Sequence, residues 1–359
     1  MRVIITAGGT GGHIYPALAI IDKIKEKAPD SEILYIGTHN RMEKDIIPAR
    51  NIKYEALKIY GFSKKISKDL EDIILIPKAY FKCLKLMKKF KPDIVIGVGG
   101  YVTFPVIRAA HKLGIKTFIH EQNSIPGKAN KALIKYVDLV GVSFPNSKEY
   151  FKNTNCIVTG NPTASNAIYT PTINKEKYGL AKEKPGVLIV NGSLGSASVN
   201  QKMEEFLKTI GNESYEVLYI TGKSYYDNFK KINLPSNVFI EPYIDNLAGL
   251  MKSIDIIVTR AGASSLAEIT TLGIPCILIP SPYVANNHQY YNAKSIVDSK
   301  AGLMIEESNL TSDLLKENIN KLINDKSLYL TYKENLTKLS TPNSADIIYD
   351  AIKDLIDNK

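Results

Sequence analysis

Two patterns of apolar residues alternate along the chain. Short aliphatic runs come first in VIITA (from Val3), ILYIGT (Ile33), IVIGVGG (Ile94), TFIHEQN (Thr117), LVGVS (Leu139) and CIVTGNP (Cys156), with apolar residues at helical spacing between them. A second series repeats the scheme in GVLIVNGS (Gly186), EVLYITG (Glu216), NVFIEPY (Asn237), IIVTRAG (Ile256), CILIPSP (Cys276) and GLMIEE (Gly302). Strands alternating with helices predict parallel sheets covered on both faces. A stretch rich in turn formers, lysine and proline separates the two series near residues 162–185. The pattern therefore predicts an α/β protein of two Rossmann-like parallel-sheet domains, residues 1–162 and 163–341. An amphipathic helix follows over 342–359, started by Asn343 or Ser344 after Pro342.

The 359 residues suffice for two cores of about 150 residues or more each. Hydrophobic residues make up 44% and charged residues 23%, so the chain is not of the disordered class. No apolar run reaches the ~18 residues of a membrane span, and the N-terminus lacks a cleavable signal pattern, which predicts a cytoplasmic location. Cys83, Cys156 and Cys276 are far apart, so neither a disulfide framework nor a zinc ribbon is expected.

Charge changes the picture more. The net charge is +10, and the segment from Lys58 to Lys91 holds ten lysines against Asp69, Glu71 and Asp72. Within it Leu70, Ile73, Ile74, Tyr80, Phe81, Leu84 and Met87 recur at helical spacing. Such a basic amphipathic segment fits a surface helix with solvated lysines, or a peripheral contact with an anionic membrane. No nucleic-acid-binding motif accompanies it, so no nucleic-acid partner is expected.

In parallel sheets ligands gather at the carboxyl ends of strands, and there this sequence is unusual. The first strand ends in AGGTGGH, with Gly8, Gly9, Gly11 and Gly12 before His13. Ile14, Ala17, Leu18, Ile21 and Ile24 then mark a helix, whose first turn suits Pro16. Glycines there let backbone N–H groups approach an anion at the positive end of that helix. A dinucleotide fingerprint would need glycine at Ile14, and a P-loop ending at Gly222–Ser224 would need one at Val217. The HEQN segment from His120 fails as a metalloprotease motif because Ser124 stands where the second histidine belongs. No paired aspartates for a metal-bound nucleotide occur, and neither a metal nor a cofactor is expected. His39 and His111 read as structural. His13, beside a glycine turn with little core to bury it, is a candidate general base.

The segments GGTGGHIYPALAI, GGYVTFP, HEQNSIPGKAN, VTGNP, TRAGASSLAEI and NNHQYYNA, in this order, closely resemble the MurG family of bacterial UDP-N-acetylglucosamine transferases. The resemblance covers essentially the whole chain. It implies a GT-B fold, two Rossmann-like domains facing a central cleft with the final helix crossing back to the first. It also implies inverting transfer of N-acetylglucosamine from UDP-N-acetylglucosamine to the 4-hydroxyl of N-acetylmuramic acid in lipid I, giving lipid II in peptidoglycan synthesis. On this resemblance Glu268 accepts hydrogen bonds from the ribose, Ile244 meets uracil with its backbone, and Ser193 contacts phosphate. Ala263, Ser264, Ser265, Leu266, Ala267 and Glu268 begin the helix that stabilises the leaving diphosphate, with Arg260 adding positive potential. Gln289 and Asn123 hold the sugar, with His288 nearby, and Thr10, Gly11 and Gly12 line the cleft. His13 is the implied base, Glu121 a second acid/base candidate, and Gly99, Gly100 and Tyr101 bind the acceptor. A lipid-linked acceptor also favours membrane contact through residues 64–91, at the cytoplasmic face of the cell membrane. One position departs from the family pattern: after GNP the usual arginine is replaced by Ala164. Two rivals share the architecture, a GT-B transferase acting on another lipid and a non-hydrolysing UDP-sugar epimerase.

Overall fold

The computed structural model describes residues 1–60, 66–191 and 197–358, without the side chains of residues 66–73, 197 and 198. The chain forms two compact units, Met1–Ser165 with Thr341–Lys359, and Asn166–Ser340. The first is built on β1 (Arg2–Ala7), β2 (Glu32–Thr38), β3 (Lys53–Leu57), β4 (Ile94–Gly99), β5 (Lys116–Glu121), β6 (Leu139–Val142) and β7 (Cys156–Val158). Helices α1 (Gly11–Lys27), α2 (Glu43–Ala49), α3 (Ile66–Phe90), α4 (Thr103–Lys112) and α5 (Lys128–Leu133) connect them, and α6 (Thr163–Tyr169) spans the junction of the units.

The second unit carries β8 (Gly186–Val190), β9 (Glu216–Ile220), β10 (Val238–Glu241), β11 (Ile256–Thr259), β12 (Cys276–Leu278) and β13 (Leu303–Met304). Its helices are α7 (Ala197–Thr209), α8 (Tyr226–Phe229), α9 (Leu247–Met251), α10 (Ala263–Leu272), α11 (His288–Asp298), α12 (Ser312–Asn324) and α13 (Lys326–Leu339). The chain then returns to the first unit as α14 (Ser344–Asp357).

Both sheets are wholly parallel, in the orders β3-β2-β1-β4-β5-β6-β7 and β10-β9-β8-β11-β12-β13. Each is a doubly wound arrangement whose strand order reverses beside its first strand, the place where such folds bind ligands. The reversal lies between β1 and β4 in one unit and between β8 and β11 in the other. Every apolar run identified in the sequence overlaps one of these strands. The remaining strand, β3, was not anticipated: KYEAL is an edge strand with a half-exposed side, so it lacks the apolar run.

Burial on both faces explains the uninterrupted runs. On β1, Val3 and Ile5 pack with Ile14, Leu18 and Ile21 of α1 and with Ile348 and Ile352 of α14. Ile4 faces the other layer, with Cys83 and Met87 of α3 and Val106 and Ala110 of α4. Two ion pairs of Asp346, 3.2 Å to Lys23 and 3.4 Å to Lys27, join α14 to α1 at its first turn. That helix begins at Ser344 after Asn343, whose side chain makes no capping bond.

In α3, Ala79, Cys83 and Met87 form the buried stripe. Ile74 and Phe81, placed on the apolar face by spacing alone, are 60% and 67% exposed. Among the described residues no helix is long and apolar enough to cross a membrane. The three cysteines are unpaired, and burial pushes the Cys83 and Cys276 thiols up to about 12.

Candidate active site

The glycine turn after β1 occupies the strand-order reversal of the first unit. Thr10, extended and exposed, precedes the first turn of α1, which itself carries no acidic residue. The backbone N–H groups of Gly11 and Gly12 are first-turn donors of that helix. The glycines have separate reasons. A Cβ on Gly8 would lie 2.6 Å from Glu43 Oε1, and one on Gly11 would lie 3.0 Å from the Tyr15 ring. Gly9 has φ +95°, a conformation that strains any other residue. A Cβ would meet nothing within 4 Å at Gly9 and nothing closer than Thr10 Oγ1 at 3.7 Å at Gly12, so Gly12 alone has neither a neighbour nor a positive φ to require glycine. Of the four glycines, only Gly12 is left for close approach of an anion to explain.

His13, half-buried, places Nδ1 3.2 Å from the Gly8 carbonyl oxygen, to which it donates when protonated there. Its ring lies against Gly99, where a Cβ would sit 2.5 Å from Cδ2. Gly99 and Gly100, at φ +111° and +85°, close the turn after β4, and Gly8 N–H donates to Gly99 O at 3.3 Å. A Cβ on Gly100 would strike the Gly8 carbonyl at 2.3 Å. The structure thus brings Gly99 and Gly100 against the His13 turn, with half-buried Tyr101 next in the chain.

Glu121, at the end of β5, is buried, and each carboxyl oxygen accepts two hydrogen bonds. Oε1 accepts from Asn123 N (2.9 Å) and Nδ2 (3.3 Å); Oε2 accepts from Gly127 N (3.0 Å) and Asn130 Nδ2 (2.9 Å). Four donors fasten the loop to α5 and occupy both oxygens of this second acid/base candidate. His120, fully buried, turns away from this loop: Nε2 faces Gly160 O at 2.9 Å and Nδ1 accepts from Gln122 Nε2 at 3.0 Å. Burial pushes its pKa down to about 4, keeping the ring neutral.

In the second unit α10 starts after Gly262 with no acidic residue in its first turn. Ala263, Ser264 and Ser265 supply its first N–H groups, and Leu266 N–H closes the turn on Gly262 O at 2.9 Å. Ala267 and Glu268 are half-buried on the next turn, and burial pushes the Glu268 carboxyl up to about 7. Ile244 is buried by its side chain. Gln289 Oε1 accepts from Ser281 N at 2.8 Å, leaving its amide nitrogen as a donor, and His288 Nδ1 lies 2.8 Å from Ala285 O. Ser193 lies outside the described residues.

Two expectations change. Arg260 is not a source of positive potential: it is buried, donates to Ile279 O at 3.0 Å and pairs with buried Glu307 at 2.6 Å, so its charge is met within the unit. Ala164 is 1% exposed, so the position of the family arginine is filled by packing. Sequence reasoning missed Glu43, Gln122, Asn130 and Glu307. None repeats at a recognisable spacing, because each contributes through contacts distant in sequence.

Comparison with known proteins agrees with this architecture. Residues 3–142 match the glycosyltransferase family 28 N-terminal domain and residues 186–349 its C-terminal domain. The chain is 43% identical to the UDP-N-acetylglucosamine--N-acetylmuramyl-(pentapeptide) pyrophosphoryl-undecaprenol N-acetylglucosamine transferase of Bacillus cytotoxicus, over 99% of this chain and 100% of that one. The relative from Bacillus pumilus is equally similar, over 99% of each chain. Among solved structures, Acinetobacter baumannii MurG superposes with a TM-score of 0.79 at 28% identity, over 98% of this chain and 99% of that chain. The S. aureus MnaA-UDP co-structure shares the fold at a TM-score of 0.72 and 17% identity, over 99% and 97% of the two chains. The chain is a glycosyltransferase of family 28 and belongs to the MurG family.

Proposed function

We propose that this enzyme transfers N-acetylglucosamine from UDP-N-acetylglucosamine to the 4-hydroxyl of the N-acetylmuramic acid of lipid I, forming lipid II. The observation that carries it is the full-length match, at 43% identity, to transferases whose name states that reaction. The bond from the anomeric carbon to UDP breaks as the bond to the acceptor oxygen forms, and the acceptor's proton passes to His13, whose Nε2 is the basic nitrogen once Nδ1–H is engaged by Gly8. Charge grows on the leaving diphosphate, which the N–H groups and positive end of α10, whose first turn holds no acidic residue, stabilise.

Glu268 holds the ribose, the Ile244 backbone meets uracil, Gln289 and Asn123 hold the sugar, and Ser193 contacts phosphate. Thr10, Gly11 and Gly12 contact UDP-N-acetylglucosamine, and Gly99, Gly100 and Tyr101 receive the acceptor. Glu121 acts by holding the Asn123 loop. The enzyme works peripherally at the cytoplasmic face of the membrane, where exposed Ile74 and Phe81 with the lysines of α3 contact anionic lipid.

The test is mass spectrometry of the lipid fraction after incubation with UDP-N-acetylglucosamine and lipid I. One added N-acetylhexosamine, reduced at least a hundredfold in rate by His13→Ala, is expected. Release of UDP only with a different acceptor would move the activity to another glycolipid.

A further inference from the structure

We infer that Glu43 is a positioning residue for the transfer, fixing the glycine turn whose Gly8 carbonyl holds the His13 imidazole. This rests on the reading of His13 as the base. Glu43 opens α2 yet is 0% exposed, and its carboxyl lies under the turn after β1 instead of in solvent. Oε1 accepts from Thr38 N at 3.1 Å and from Thr38 Oγ1 at 2.5 Å, which anchors it to the end of β2. Oε2 accepts from Gly9 N at 3.4 Å. The carboxyl thus ties the end of β2 to the turn that follows β1.

The surroundings are shaped to admit it. Gly8 and Gly37 are both glycines beside Glu43, since a Cβ would lie 2.6 Å from Oε1 at Gly8 and 2.9 Å from Cγ at Gly37. Tyr54 closes the far side, its hydroxyl donating to Thr38 O at 2.5 Å, and burial followed by the Glu43 charge raises its pKa further. A buried carboxyl is costly unless its oxygens are satisfied, and here the donors that satisfy it belong to the elements that must be held together. The Gly8 carbonyl that Nδ1 of His13 addresses belongs to the same planar peptide group as the Gly9 N–H that Glu43 holds. The hydrogen bond on one imidazole nitrogen decides which tautomer is present, and so whether Nε2 can take a proton. Glu43 acts on that bond through Gly8 and Gly9 without touching the ring.

The substitution Glu43→Gln separates this role from bulk stabilisation. Gln can keep an oxygen toward Thr38, but its amide then presents N–H to the Gly9 N–H, a donor against a donor. In the full-length protein kcat should fall at least tenfold while KM for UDP-N-acetylglucosamine stays within twofold. The ¹⁵N imidazole resonances of His13, assigned by their loss in His13→Ala, should move from a fixed Nδ1–H tautomer toward a mixture. Unchanged kcat and an unchanged His13 signature in folded Glu43→Gln would overturn the assignment. If that variant does not fold, Thr38→Val, which removes the hydroxyl donor at constant shape, decides in its place: a smaller change in the same two readouts supports the role, and no change in either overturns it. Full activity in His13→Ala would instead overturn the base reading, a failure distinguishable from loss in His13→Ala with none in Glu43→Gln.

Discussion

A side chain in this molecule earns its role from what surrounds it, and Glu268 shows this most directly. Its carboxyl is pushed up to about 7 by burial, well above the usual ~4.3 of an exposed glutamate. Between those values the folded protein binds a proton that the unfolded chain releases, so stability falls as pH rises through that window and the full cost remains above pH 7. In the role proposed for Glu268 a ribose diol donates to the ionised form, so donor binding would expel that proton at acid pH. UDP affinity is therefore expected to fall about tenfold per pH unit below 7 and to level off above it. Glu268→Gln should melt a few degrees higher than wild type at pH 8 while binding UDP more weakly. Calorimetric titration across pH 5.5–8, with melting curves of both proteins, checks this; a pH-independent affinity together with a lower melting temperature for the variant would count against it. The motif containing Glu268 was legible in the sequence, but its environment was not, because burial is a property of the packed unit. The same holds for Glu121, whose four donors come from a loop and α5.

At the scale of elements, the parallel-sheet strands were legible because both faces are covered, which writes an apolar run into the sequence. β3 was not, since an edge strand with half-exposed Lys53–Leu57 leaves no such run. Helix α3 marks a different limit: of the residues that spacing groups on one apolar face, Met87 is buried beside Ala79 and Cys83, whereas Ile74 and Phe81 face outward. Outward-facing Ile74 and Phe81 beside exposed Lys78, Lys85 and Lys89 give this helix a basic, apolar outer surface. Lys64 and Lys65, also expected at a membrane, lie outside the described residues, as does the side chain of Lys68. Lipid insertion of two such side chains and roughly 1 kcal/mol per lysine are additive contributions to binding. Flotation with anionic vesicles should show binding reduced at least tenfold by Ile74→Ser with Phe81→Ser, and similarly by Lys78→Glu with Lys85→Glu and Lys89→Glu. The lysine variant should differ little from wild type at high salt, where surface charge is screened. Wild-type binding by both variants would remove α3 from the membrane contact.

For the whole molecule, the consequence of the chain path is that one unit is closed by a helix from the far end of the sequence. The order of strands could not be read from apolar runs, which carry no neighbour information; only the rule that ligands gather at strand ends directed attention to the right turns. Likewise the amphipathic pattern of SADIIYDAIKDLIDNK predicts a helix but not its neighbour, which the structure gives as α1, through Ile348 and Ile352 in a shared core. Each unit otherwise has its own sheet and its own buried cluster. Ile352 is fully buried, so Ile352→Ala should cost the first unit about 2–5 kcal/mol. Because Asn166–Ser340 contains neither Ile352 nor its partners, its stability and the UDP binding proposed for it should be unaffected. Calorimetry of the variant should then resolve an early transition for the first unit from a later one that UDP raises further, with UDP affinity at 25 °C equal to wild type. A single transition shifted as a whole, with UDP binding lost alongside, would mean that the two units fold as one cooperative body and that α14 supports both.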